Sequence, residues 1–383
     1  MKTALKFHAS IFLVAVMPVM AFARDQPTLK TSFAGQFLVG AALNESQFTE
    51  TNSPEAALVK RQFNAITPEN VLKWDHVEPH PGQYNFGPAD RYVAFGEANK
   101  MFIVGHTLVW HSQTPGWVFQ NADRAVLLER MSNHIQAVVG RYKGRIKGWD
   151  VVNEALNEHG TLSDSPWRKI IGDDYIEKAF QFAHAADPQA ELYYNDYSLE
   201  TPQKRAGVLA LVKKLQAEGV PIAAVGTQEH INLNWPAIQL VDDTLTELGR
   251  LGIKVNITEL DVDVLPRASN DTRADVSLSI AANRALNPYP NGLPDSVQRS
   301  LAHRYADLFS AYLRHPGVVG RVTFWGVTDA DSWLNNWPVA GRLNYPLLFD
   351  RAGNPKPAFA SVNNLPGLNR GVIPDNRSAS LKP

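Results

Sequence analysis

The chain has 383 residues, 44% of them apolar and 20% charged, with a formal net charge of −1 and no cysteine. That composition excludes a disordered, fibrous or collagen-like protein and fits an ordinary globular one. The balanced charge offers no basic face for a polyanion, so no nucleic-acid partner is expected, and without thiols there are no disulfides, thiolate metal sites or cysteine nucleophile.

The chain opens with Lys2 and Lys6, an apolar run from Ile11 to Met20, and Ala21-Phe22-Ala23. This order of charged, apolar and small-x-small segments predicts a signal peptide over residues 1–23 and a mature start near Arg24. About ten apolar residues are too few for a membrane span, which needs roughly 20. The expected product is an exported protein, periplasmic or extracellular, free of the membrane after cleavage, and stabilised by its core alone.

Beyond the signal, short runs rich in β-branched and aromatic residues alternate with segments of helical period. Eight strands are predicted: Phe37 to Leu43, Phe63 to Thr67, Phe102 to Trp110, Ile146 to Asn153, Glu191 to Asn195, Ala223 to Gln228, Val255 to Glu259 and Val319 to Trp325. Several are apolar throughout, as strands covered on both faces should be. Between them, Leu127, Met131, Ile135 and Val138 share one helical face, as do Val208, Leu211, Val212 and Leu215, and Val297, Leu301, Tyr305, Leu308 and Tyr312. These stripes are core packing.

Eight strands alternating with helices over one uninterrupted stretch predict the α/β class and a single-domain (β/α)8 TIM barrel over residues 24–365. No glycine-rich nucleotide-binding turn follows the first strand. A long loop from Leu265 to Asp295, holding Pro266, Pro288, Pro290 and Pro294, follows the seventh strand and belongs to the C-terminal face. Residues 366–383, rich in Asn, Pro, Ser and Arg, are expected to fray. No internal repeat and no linker to a second module is evident.

Barrel enzymes build their sites at the C-terminal ends of the strands. Here those ends carry Glu69, Asn70, Lys73, Trp74, His106, Trp110, His111, Gln113, Asn153, Glu154, Asn195, Gln228, His230, Glu259, Asp261, Trp325 and Trp333. Amides and charges suit sugar hydroxyls, and indole faces suit the apolar sides of sugar rings, so the set predicts a neutral polyhydroxylated ligand.

Two glutamates stand out. Glu154 ends Gly148-Trp149-Asp150-Val151-Val152-Asn153-Glu154, and Glu259 follows Val255-Asn256-Ile257-Thr258. An isolated glutamate after a strand reads as a salt-bridged rim residue. Two of them, across one barrel mouth and in this company, read as the carboxyl pair of a glycoside hydrolase, which inverts twice when the groups stand roughly 5 Å apart.

Asn153 is placed to hydrogen-bond a sugar 2-hydroxyl, while His230 and Asp261 are placed to keep Glu259 ionised. Trp149 and Trp167 are expected in the core, and Trp110, Trp325, Trp333 and Trp117 at the ligand. His106, His111 and His230 lack the HExxH or HxH spacing of metal ligands, so no metal and no cofactor are expected.

Six segments in order then carry a resemblance. They are Thr67-Pro68-Glu69-Asn70 with Lys73-Trp74; Gly105 through Gln113; Trp149 through Glu154; Gln228-Glu229-His230; Ile257 through Asp261; and Trp325 through Asp329 with Trp333. Together they resemble glycoside hydrolase family 10, the xylanases with catalytic glutamates on strands four and seven, over essentially the whole mature chain.

The resemblance implies a retaining endo-β-1,4-xylanase with Glu154 as acid/base and Glu259 as nucleophile, tuned by His230 and Asp261. It implies Asn70, Lys73, His106, Trp110 and Gln113 gripping the glycone sugars, and Trp325 and Trp333 packing around the sugar at the cleavage point. The implied partner is xylan or a xylo-oligosaccharide, bound by a monomer.

The sequence departs from the family pattern at Glu229, where small residues are frequent, and in the long seventh loop. A β-1,4-glucanase using the same pair and a non-catalytic carbohydrate-binding barrel are the alternatives.

Overall fold

The computed structural model describes residues 27–267 and 278–366. The signal peptide expected over residues 1–23 lies outside the described residues, as do 268–277 of the proline-rich loop and 367–383 of the expected tail.

Nine strands are present: β1 (Leu38–Leu43), β2 (Ala65–Pro68), β3 (Phe102–Val109), β4 (Gly148–Asn153), β5 (Glu191–Asp196), β6 (Ala224–Thr227), β7 (His230–Asn232), β8 (Lys254–Asp263) and β9 (Val319–Phe324). They pair in parallel in the order β6-β5-β4-β3-β2-β1-β9-β8-β7, and the additional pairing of β6 with β8 closes the sheet. With helices between the strands this is the single-domain (β/α)8 barrel expected from the alternation.

β7 continues the sixth stave. Thr227 pairs with Ile257 and His230 with Asp261, so the register slips by one residue across Gln228-Glu229, where Glu229 takes φ 57°. The seventh stave, expected to stop at Glu259, runs on to Asp263 because β7 supplies a partner for those extra residues.

The stripes are buried as their period requires. Helix Arg124–Arg141 starts at Asp123, whose carboxylate accepts from Val126 N at 2.9 Å, and buries Leu127, Met131, Ile135 and Val138. Helix Pro202–Ala217 buries Val208, Leu211, Val212 and Leu215. Helix Asp295–Leu313 buries Leu301, Tyr305, Leu308 and Tyr312, with Val297 only partly covered. Trp149 and Trp167 lie in the core, as expected. Among the described residues no helix is long and apolar enough to cross a membrane.

Neighbouring staves fit large against small. A Cβ on Gly105 would lie 2.1 Å from a ring carbon of Trp149, its register partner on β4. At Gly140, near the end of its helix, a Cβ would meet nothing within 4 Å. Gly105→Ala is therefore expected to destabilise the protein by about 1–3 kcal/mol, whereas Gly140→Ala should be neutral or stabilising. Thermal unfolding of the two variants checks this, and equal midpoints would show that β4 yields to the added methyl.

Candidate active site

β4 ends at Asn153, and the next residue, Glu154, sits at φ 57°. Its carboxylate accepts from Trp110 Nε1 at 2.8 Å on Oε2, and from Gln228 Nε2 at 2.9 Å and Asn153 Nδ2 at 3.1 Å on Oε1. Glu259 lies within β8 and accepts from Asn195 Nδ2 at 2.7 Å on Oε1, with His230 Nε2 3.1 Å from Oε2.

Asn195 Nδ2 also donates to Asn153 Oδ1 at 2.8 Å, and Thr258 Oγ1 donates to Asn195 Oδ1 at 2.6 Å. Three hydrogen bonds, through Asn153 and Asn195, thus join one carboxylate to the other.

Both carboxyls are buried, at 7% and 5% exposure. Burial pushes the Glu154 carboxyl up to about 7; the charges of Asp196 and Glu259 add to this, against the donors Gln228 and Trp110. Burial also pushes Glu259 up, but the hydrogen bond from His230, the charges of His106 and His230, and the Asn195 amide together leave it below its ordinary value.

Desolvation opposes a charge on His230. Asp261, whose Oδ2 lies 3.0 Å from Nδ1, and Glu259 outweigh it and raise the imidazole to about 10. An imidazolium therefore stands between Glu259 and Asp261.

On the opposite wall, Lys73 Nζ donates to Gln113 Oε1 at 2.8 Å and Asn70 Oδ1 at 3.0 Å, and lies 5.4 Å from the Trp110 ring centroid. Burial depresses its pKa, opposed by Glu259 and Glu69, and burial raises Glu69. His106 Nδ1 sits 2.9 Å from Asp150 Oδ2, with the ring edge-on to Trp325. Trp333 lies against His230 at 4.8 Å, donates Nε1–H to Asp261 Oδ2 at 2.7 Å, and stacks on Trp337.

Twelve of the residues singled out from sequence line one cleft: Glu69, Asn70, Lys73, His106, Trp110, Asn153, Glu154, Gln228, His230, Glu259, Trp325 and Trp333. Gln113, partly exposed, holds Lys73 from outside the lining, while Asn195 and Asp261 are buried behind the cleft and hold Glu259 and His230.

Trp117 is elsewhere: it packs edge-on against Trp74 and donates to Pro79 O at 3.1 Å. Its neighbourhood in a loop gave no sign of this, because the packing partner comes from a different βα unit. Glu229 points away from the cleft and accepts from Tyr312 Oη at 2.5 Å, with burial pushing its carboxyl up to about 8.

Asp150, Thr258 and Trp337 were not anticipated. An acid inside an otherwise apolar strand was the available signal for Asp150. Among the described residues no group of three or more His, Cys, Asp or Glu is arranged to hold a metal ion.

The model of Glycosyl hydrolase family 10 matches residues 28–365. The chain belongs to this family. As a family 10 glycosyl hydrolase it is similar to endo-1,4-beta-xylanase A of Xylanibacter ruminicola, at 44% identity over 91% of this chain and 96% of that protein. It is also similar to a beta-1,4-xylanase of Dictyoglomus thermophilum, at 42% identity over 88% and 90%. Among solved structures, a GH10 endoxylanase retrieved from sugarcane soil metagenome superposes with a TM-score of 0.86 at 44% identity, covering 88% of this chain and 99% of that one.

The raised Glu154 carboxyl has a consequence for stability. A carboxyl held above its unfolded value favours the native state fully below about 4.5, and that advantage is lost as pH rises through about 7. Glu154→Gln, which mimics the protonated acid, should therefore gain stability relative to wild type between pH 5 and pH 8, by an amount on the order of 1–3 kcal/mol. Urea unfolding at the two pH values measures it; a pH-independent difference would place the Glu154 pKa near its ordinary value.

Proposed function

We propose that this protein is a retaining endo-1,4-β-xylanase that hydrolyses internal β-1,4-xylosidic bonds of xylan, with Glu259 as nucleophile and Glu154 as acid/base. The observation that carries this reading is the pair of buried carboxyls in one cleft, held at opposite protonation: Glu154 pushed up to about 7 and Glu259 drawn below its ordinary value. Two acids with separated pKa values are what a reaction needs when one must give a proton and the other must attack. The names of the similar proteins support xylan as the substrate.

In the first step Glu259 attacks the anomeric carbon while Glu154 passes its proton to the departing glycosidic oxygen, leaving a glycosyl ester on Glu259. Glu154, now a carboxylate, takes a proton from water, whose oxygen attacks the same carbon and frees Glu259. Two inversions leave the configuration unchanged, and the cycle uses no cofactor.

Asn70, Lys73, His106 and Trp110, with Gln113 beside them, are proposed to grip the glycone sugars, Asn153 to reach the sugar 2-hydroxyl, and Glu69 and Gln228 to contribute to substrate binding in the same cleft. Trp110, Trp325 and Trp333 supply the aromatic walls. The N-terminal sequence pattern supports export of the enzyme, and it is proposed to act as a monomer.

Digestion of arabinoxylan and of carboxymethylcellulose by wild type and Glu259→Ala tests the assignment. Short xylo-oligosaccharides, first appearing as the β-anomer, are expected from wild type only. Cleavage of cellulose alone would replace the substrate, and no cleavage of either would make the protein a binding barrel.

The pH dependence of kcat/KM should be bell-shaped, rising as Glu259 ionises below 4.5 and falling as Glu154 loses its proton near 7.

A further inference from the structure

We propose that Asp196, paired with Lys204 and bonded to Tyr194, is a positioning residue that clamps the turn after Glu154 and so holds the acid/base carboxyl where it donates. This inference rests on the assignment of Glu154 as acid/base.

Glu154 is a non-glycine residue in the left-handed region, at φ 57°. Such a conformation is strained for a residue with a Cβ and persists only where the surroundings over-determine it. The surroundings here are three consecutive residues of β5 gripping three consecutive amides. Glu154 N donates to Asn195 O at 2.9 Å. Ala155 N and Leu156 N donate to Tyr194 Oη at 3.1 and 3.2 Å, and Leu156 N also reaches Asp196 Oδ2 at 3.3 Å.

Tyr194 Oη donates its own proton to Asp196 Oδ2. With one proton given and two accepted, the hydroxyl is fully used and its orientation is set by Asp196. The phenol serves as a double acceptor for the turn only while Asp196 takes its proton.

Asp196 is in turn fixed by Lys204 Nζ, 2.7 Å from Oδ1, and by Tyr197 N at 2.9 Å on the same oxygen. Lys204 Nζ also lies 3.3 Å from the Tyr197 ring centroid. Tyr194, Asp196 and Lys204 are all 0% exposed. A lysine so deeply buried is rare unless paired. A pair serving stability alone has no reason to converge on the backbone after the acid/base, since buried ion pairs contribute little net stability.

Asp196 also acts on Glu154 through its charge. The titratable groups around Glu154 are Asp196, Glu259, Lys73 and Tyr197. Those around Asp196 are Lys204, Tyr175, Tyr194 and Tyr197, with Glu158 beyond Tyr197. The negative charge of Asp196 disfavours a second negative charge on Glu154 and so favours the proton-bearing form.

Aryl β-xylobiosides with graded leaving groups separate acid assistance from general damage, because a dinitrophenolate departs without a proton and a phenolate does not. Tyr194→Phe should lower kcat/KM by about tenfold or more for the phenyl substrate and xylan, and by less than about twofold for the dinitrophenyl substrate. In Asp196→Asn, loss of the negative charge should move the alkaline limb of kcat/KM to lower pH by about one unit. If Asp196→Asn does not fold, because Lys204 is left buried and unpaired, Tyr194→Phe alone decides.

An equal loss on all leaving groups in Tyr194→Phe, or an unmoved alkaline limb in a folded Asp196→Asn, would overturn the inference and leave the network a structural one. If Glu154→Ala itself shows no leaving-group dependence, the acid/base assignment fails, and this proposal with it.

Discussion

Two carboxyl groups buried in one cleft repel each other, and burial disfavours the charged form of both. In this barrel the conflict is resolved by unequal company. Glu154 has neutral donors only, from Trp110, Gln228 and Asn153, and stays above its ordinary range. Glu259 has the His230 imidazolium, itself secured by Asp261, and is held below it. Asn195 donates to Glu259 and to Asn153, so both acids are tied to one rigid amide network.

The topology explains why that network spans the site. Between β4, which leads into Glu154, and β8, which carries Glu259, stand only β5 and β6. Asn195 comes from β5 and Gln228 follows β6, so the residues that bridge the acids come from the staves that separate them. The slip between β6 and β7 places Glu229 behind the sheet against Tyr312 and leaves Gln228 and His230 on the cleft side.

Three of the charged or titratable groups lining the cleft are held by a partner outside the lining: Lys73 by Gln113, His106 by Asp150 and His230 by Asp261, with Trp333 donating to Asp261. Dipoles fixed before substrate arrives need no reorganisation as charge develops, which is the main electrostatic advantage of a preformed site. The site therefore invests in buried, paired charge: Asp150 and Asp261 are nearly inaccessible.

By itself the sequence determined the barrel, because eight buried strands alternating with amphipathic helices have few other ways to bury their faces. It also pointed to which side chains reach the rim, since Glu154 and Glu259 each follow an apolar strand, although the left-handed backbone that aims Glu154 is set by contacts from β5. Tertiary structure decided what local pattern does not encode. Trp117, in a loop like the cleft tryptophans, went to a packing site against Trp74, and Asn195 became a bridge between acids instead of a lining residue. Such partners lie tens of residues apart in the chain, and only closure of the sheet brings them within hydrogen-bond range. The opposite shifts of two chemically identical carboxyls likewise came from burial and neighbouring charge, which exist only once the chain has folded.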